Sequence, residues 1–129
     1  SLTTEAGEKA ATEFLCCASP VSAIFTAGGY PALGVMRTAQ RLGLKIPDEL
    51  SLIARTAYSI SELAVPPLTI CGLPQRSWIR EAASLLIQRI RSGNETHSPR
   101  SHVVPIGGVM IRGTTRRVHN RSHNQETSQ

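Results

Sequence analysis

Residues 21–54 read VSAIFTAGGYPALGVMRTAQRLGLKIPDELSLIA, and this stretch decides the fold. Its first seven residues are a short apolar run that stops at Gly28-Gly29, which predicts a buried strand followed by a tight βα turn. Pro31 lies near the start of the next segment and Gly43 at its end, the usual asymmetry of helix punctuation. A helix is therefore expected from Pro31 to about Leu42, with Leu33, Met36, Ala39 and Leu42 facing inward. Lys45 to Glu49 forms a turn, and LSLIA at 50–54 supplies a second buried strand. Strand, helix, strand is the unit from which parallel sheets are built.

The pattern continues in both directions. Upstream, Ala6, Ala10, Ala11, Phe14 and Leu15 recur at helical spacing after the candidate caps Thr3 and Thr4, and predict a helix over 4–17 despite Gly7. Downstream, a short helical segment around Ser59 to Ala64 leads through Val65-Pro66-Pro67 to a third strand, LTIC, at 68–71. Pro74 precedes the strongest helix signal, residues 75–91, where Trp78, Ile79, Ala82, Ala83, Leu85, Leu86 and Ile90 form a wide apolar face. Further strands are expected at 102–105 and 109–114, and a disordered polar end beyond Thr115. The fold class is α/β, a parallel sheet with helices on both faces. Ligands of such sheets bind outside the carboxyl ends of the strands, here Gly28 to Tyr30, Arg55 to Tyr58 and Gly72 to Leu73.

Composition removes several functions. Aromatic residues make up 4% of the 129-residue chain, so there is no ladder of rings on which single-stranded nucleic acid could stack. The formal charge of +5 is concentrated in Arg112, Arg116, Arg117 and Arg121 near the end, which reads as a solvated tail rather than a DNA-reading face. Three cysteines, two of them the adjacent Cys16 and Cys17, suit reduced thiols in a cytoplasm. No CxxC occurs, and His119 and His123, though spaced HxxxH, have no apparent further ligands, so no metal site is expected. No apolar run approaches the ~20 residues of a membrane span, and no cofactor is implied.

The run AIFTAGGYPALGVMRTAQRLGLKIPDELSLIA, then VPPLTI, REAASLLIQRI and PIGGVMIRGTT, resembles the carboxyl-terminal part of bacterial transcription regulators of the lactose/galactose repressor (LacI/GalR) family. The resemblance spans residues 1 to about 116. It implies an effector domain like the periplasmic sugar-binding proteins, and an operator-binding headpiece upstream of this chain, which would make the chain an incomplete fragment. By the same resemblance, residues 1–73 belong to the carboxyl-terminal lobe, 74–105 to the amino-terminal lobe, 106–116 return, and 117–129 form a disordered basic tail. It implies a homodimer through the helix after the first strand and the segment before the Pro pair, with Ala32, Met36, Ala39, Ile60 and Leu63 at the interface.

The candidate ligand-binding residues are Gly29, Tyr30, Arg55, Thr56, Tyr58, Leu73 and Trp78. They depart from the family pattern, which has Asn-Asp at Gly28-Gly29, Gly-Phe-Asp-Asp at Ala54-Arg55-Thr56-Ala57 and Gln at Leu73. Both pocket carboxylates are thus missing, and with them strong acceptors for sugar hydroxyls. Gly28-Gly29 lacks the spacing of a phosphate-binding glycine motif and reads as a turn. Trp78 either packs or stacks on a ligand. Cys71 has no base at readable spacing, so no catalytic residue is expected. The expectation is the effector-sensing and dimerisation part of a cytoplasmic regulator that binds a small molecule, sugar-like or anionic, and meets operator DNA only through the upstream headpiece. The alternative is a solute-binding protein of the same fold, serving transport or chemotaxis, against which KIPDELS, VPPLT and RGTT weigh.

Overall fold

The structure is a computed structural model and describes residues 1–56, 58–72, 75–91, 103 and 107–117. The elements run α1 (Thr4–Leu15), β1 (Ala23–Thr26), α2 (Gly29–Arg41), β2 (Ser51–Thr56), α3 (Tyr58–Leu63), β3 (Thr69–Gly72), α4 (Gln75–Arg91) and β4 (Val109–Met110). The four strands lie side by side in chain order. The first three are parallel, with Thr26 beside Ala54 and Thr56 beside Gly72. The last strand, shorter than expected, is antiparallel to β3, with Val109 opposite Cys71.

Leu50, Leu52, Ala54, Leu68 and Ile70 of the sheet region meet Ala32, Val35 and Ala39 of α2 in one aliphatic core, backed by Ala11 and Leu15 of α1. Fully burying a leucine or isoleucine is worth about 1.5–3 kcal/mol, so the four large side chains here are the principal adhesive of the fold. The Thr3 hydroxyl caps α1 by accepting from the Ala6 N–H at 3.2 Å. Gly7 belongs inside this helix for a steric reason: a Cβ there would collide with the Pro31 backbone of α2. Gly34 repeats the device against the Thr4 carbonyl and the Glu8 N–H. The two helices therefore touch backbone to backbone.

Several inward-facing assignments need correction. Phe14 is exposed, because Gly7, Ala11 and Leu15 form the buried stripe of α1. On α2 the buried stripe runs through Ala32, Val35 and Ala39, which leaves Leu33 and Met36 half-buried and Leu42 exposed. The expected burial of β1 also fails. Phe25 is 64% exposed, since β1 pairs only with β2 among the described residues and the packed helices cover the face of Ile24 and Thr26. On α4 the expected apolar face is uncovered among the described residues: Ile79, Leu86 and Ile90 are exposed, and Trp78 is half-buried. Of the strand expected at 102–105 only Val103 is described, and it belongs to no regular element; the tail beyond Arg117 lies outside the described residues.

The chain returns across the start of the sheet. The Thr114 hydroxyl donates to the Leu52 carbonyl at 2.7 Å and accepts from the Thr69 N–H at 2.8 Å, and the Thr114 carbonyl accepts from the Leu52 N–H at 2.8 Å. Thr69 adds its hydroxyl to this network by accepting from the Arg112 N–H at 2.9 Å. The Arg112 guanidinium in turn pairs with Glu62 of α3 at 3.2 Å.

Candidate functional site

Three parallel strands end on one edge, so Thr26, Thr56 and Gly72 bring their following turns together. After β1, the Thr26 hydroxyl donates to the Gly28 carbonyl at 3.0 Å and bends the chain into α2. Gly28 occupies the N-cap position with extended backbone and no side chain to cap the helix. The first amides of α2 therefore keep their positive ends directed at the turn.

Gly29 is buried under the end of β2. A Cβ at this position would lie 2.6 Å from the Thr56 Oγ1 and 2.9 Å from the Ile60 Cγ2. That contact joins α2, β2 and α3 at one point, where the methyl groups of the half-buried Ile60 approach Gly29. Thr56 is 5% exposed. Arg55 alternates to the other side of β2 and is exposed; its guanidinium reaches across the strand ends to donate to the Ala27 carbonyl at 3.3 Å.

The structure thus brings Gly29, Arg55 and Thr56 together at the Ala27–Gly29 turn, with Tyr30 exposed on the first turn of α2. Tyr58 opens α3. Trp78 lies in the first turn of α4, and Leu73 falls outside the described residues. The Ala27 carbonyl and Ile60 were not among the sequence candidates for this site; only the known spacing of a βα turn could have suggested the first.

Three carboxylates of the described residues are engaged elsewhere. Glu8 pairs with Arg37 at 3.6 Å and Arg41 at 3.8 Å, Glu62 with Arg112, and Glu49 accepts from the Lys45 N–H. No cluster of three or more His, Cys, Asp or Glu side chains suited to a metal occurs among the described residues.

A concavity lies away from this turn, between α2 and the Pro66 segment. It is a groove of about 590 Å³ lined by residues including Leu33, Met36, Leu44, Leu63, Val65 and Pro66. Leu63 is 84% and Val65 90% exposed on its rim. Ala32 and Ala39 do not reach it. Both are sealed in the core, which removes them from the expected interface, whereas Met36 and Leu63 remain available.

Residues 2–115 match the periplasmic binding protein-like domain. The chain belongs to that family. Within the periplasmic binding protein-like family, a similar curated protein is the HTH-type transcriptional repressor CytR of Escherichia coli K12, 33% identical over 114 residues that are 88% of this chain and 33% of CytR. The PurR repressor of Vibrio vulnificus is 36% identical over 70 residues, 54% of this chain and 21% of PurR. The chain thus spans about a third or less of the length of these relatives.

Solved structures agree. The regulator CelR, in a cellobiose complex, superposes with a TM-score of 0.78 at 29% identity, over 88% of this chain and 34% of that one. A LacI-family regulator of Arthrobacter sp. FB24, in a lactose complex, superposes at 0.75 and 26% identity, over 88% and 42%. The expected resemblance to LacI-type regulators is borne out by these relatives. No helix among the described residues is long and apolar enough to cross a membrane.

Proposed function

We propose that the chain is the effector-sensing and dimerisation part of a cytoplasmic LacI-type transcriptional regulator and performs no catalysis. The observation that carries this reading is the continuous similarity to the CytR repressor across 114 residues, which includes every strand end that forms the candidate site. In this reading residues 1–73 form most of one lobe, 74–105 belong to the opposite lobe, 106–116 return, and 117–129 are a solvated tail. A small molecule held at the Ala27–Gly29 turn closes the lobes and alters an upstream DNA-binding module. The exposed apolar surface of α4 supports the lobe assignment, because such a face requires a covering layer. The groove rimmed by Leu63 and Val65 supports a homodimer.

The test uses the longest chain that the gene encodes, footprinted on the DNA upstream of that gene with and without candidate small molecules. Sequence-selective protection that a small molecule strengthens or relieves is the expected result. Absence of any selective protection would remove the regulator reading.

A further inference from the structure

We propose that Cys16 and Cys17 form a dithiol site that binds a trivalent arsenical through both sulfurs. The proposal goes beyond the regulator reading and does not depend on it. The pair lies between the end of α1 and the start of β1, away from the Ala27–Gly29 turn. Both are free thiols on exposed residues, whereas Cys71 is half-buried in β3. Local bonds fix the backbone that carries them. Cys16 occupies the C-cap of α1 and donates its N–H to the Thr12 carbonyl at 3.0 Å. The Cys17 thiol is held within reach of the Phe14 carbonyl at 3.3 Å and the Ser19 carbonyl at 3.2 Å. The Val21 N–H returns to the same Phe14 carbonyl at 3.4 Å, so the short loop is closed at both ends. A loop ordered in this way loses little freedom when its two sulfurs are joined.

Adjacency decides which chemistry the pair supports. Consecutive Cα atoms lie about 3.8 Å apart across a trans peptide, below the range of about 4.4–6.8 Å that a disulfide usually spans. The two thiols therefore resist closing on each other. An atom inserted between the sulfurs relieves that constraint, because each sulfur then bonds to the inserted atom and the ring gains a member. Sulfur selects a soft centre, and two sulfurs fall short of the four ligands of a structural zinc site. No cluster of three or more His, Cys, Asp or Glu side chains supplies the rest among the described residues. Trivalent arsenic is soft and pyramidal, and it holds two sulfurs on one side while keeping its organic group, as neighbouring residues require. With an organoarsonous acid, R–As(OH)2, two S–H and two As–O bonds break, two As–S bonds form, and the protons leave with the hydroxyls as two waters. Arsenic stays trivalent and no electron is transferred.

The experiment treats the reduced 129-residue chain with phenylarsine oxide in excess glutathione, and follows intact mass, remaining free thiols and release by dimercaptopropanol. One arsenical per chain is expected, with two thiols consumed, an adduct that survives the monothiol and a release by the dithiol. Cys16→Ser and Cys17→Ser are each expected to weaken binding at least about a hundredfold, because a single sulfur leaves no second attachment to act at high effective concentration. Both changes fall on exposed residues, and the hydroxyl introduced by Cys17→Ser can still donate to the Phe14 and Ser19 carbonyls, so the circular dichroism of the folded chain should be unchanged. Cys71→Ser is expected to leave binding as it is. An adduct that either of the first two variants retains at full affinity, one that Cys71→Ser abolishes, an arsenical that bridges two chains, or no adduct that survives glutathione would each overturn the proposal.

Discussion

Thr114 and Leu52, 62 residues apart, hold one another reciprocally: Leu52 donates its N–H to the Thr114 carbonyl and accepts the Thr114 hydroxyl on its own carbonyl. The same hydroxyl accepts from Thr69, so one side chain joins β2, β3 and the returning chain. Thr114→Val preserves the shape and removes the hydroxyl, which strands the Thr69 N–H in a buried position. An unsatisfied buried group costs about 1–3 kcal/mol, and urea unfolding should show a loss of at least that size. Unchanged stability would mean that water replaces the hydroxyl.

The helix pair gives a second test. Gly7→Ala and Gly34→Ala each force a methyl group into the backbone of the neighbouring helix, and overpacking of this kind costs about 1–3 kcal/mol or more. Gly43→Ala meets nothing within 4 Å but occupies a left-handed backbone with φ of 73°, so its cost comes from conformation alone. Thermal melts should rank both helix variants below Gly43→Ala, whose loss is about 1–2 kcal/mol.

Acid sensitivity at the start of α1 follows from Glu5. Its carboxyl is held below the usual range, mainly by a hydrogen bond from its own backbone N–H and next by the Thr3 hydroxyl. A lowered folded value means that the ionised group favours the folded state above its unfolded value, and that this contribution is lost as pH falls through the folded one. Glu5→Gln should therefore lower the urea midpoint slightly at neutral pH, with the difference shrinking through the acid range below the ordinary glutamate value. A difference that grows on acidification would contradict the assignment.

Assembly is tested on the groove rim. Leu63→Glu combined with Val65→Glu places two charges on side chains that are almost fully exposed, so folding stability should change by no more than about 0.5 kcal/mol per site. Sedimentation should nevertheless move from dimer to monomer. A monomeric wild-type chain at high concentration would sink the proposed interface.

Most of the elements were legible in the sequence because punctuation and periodicity are local. Pro31 and Gly43 bracket α2 to within two residues, and Gln75–Arg91 matches the expected helix. What escaped is set by partners distant in sequence. Phe25 sits in an apolar run that suits a buried strand, yet burial depends on what lies over that face, and no local pattern carries that information. Gly7 read as a defect in a helix until Pro31 was seen against it. At the site, the residue types and strand ends were readable. The approach of Thr56 and Ile60 to Gly29, which decides what fits there, was not.

The strands lie side by side in the order in which they are synthesised, so each finds its earlier neighbour already made. Thr114 emerges from the ribosome long after β2 and β3, and until it does the Leu52 and Thr69 backbone groups that it engages remain open to water. A chain truncated before that residue should therefore be cut more readily at the starts of β2 and β3 in limited proteolysis than the chain that carries it.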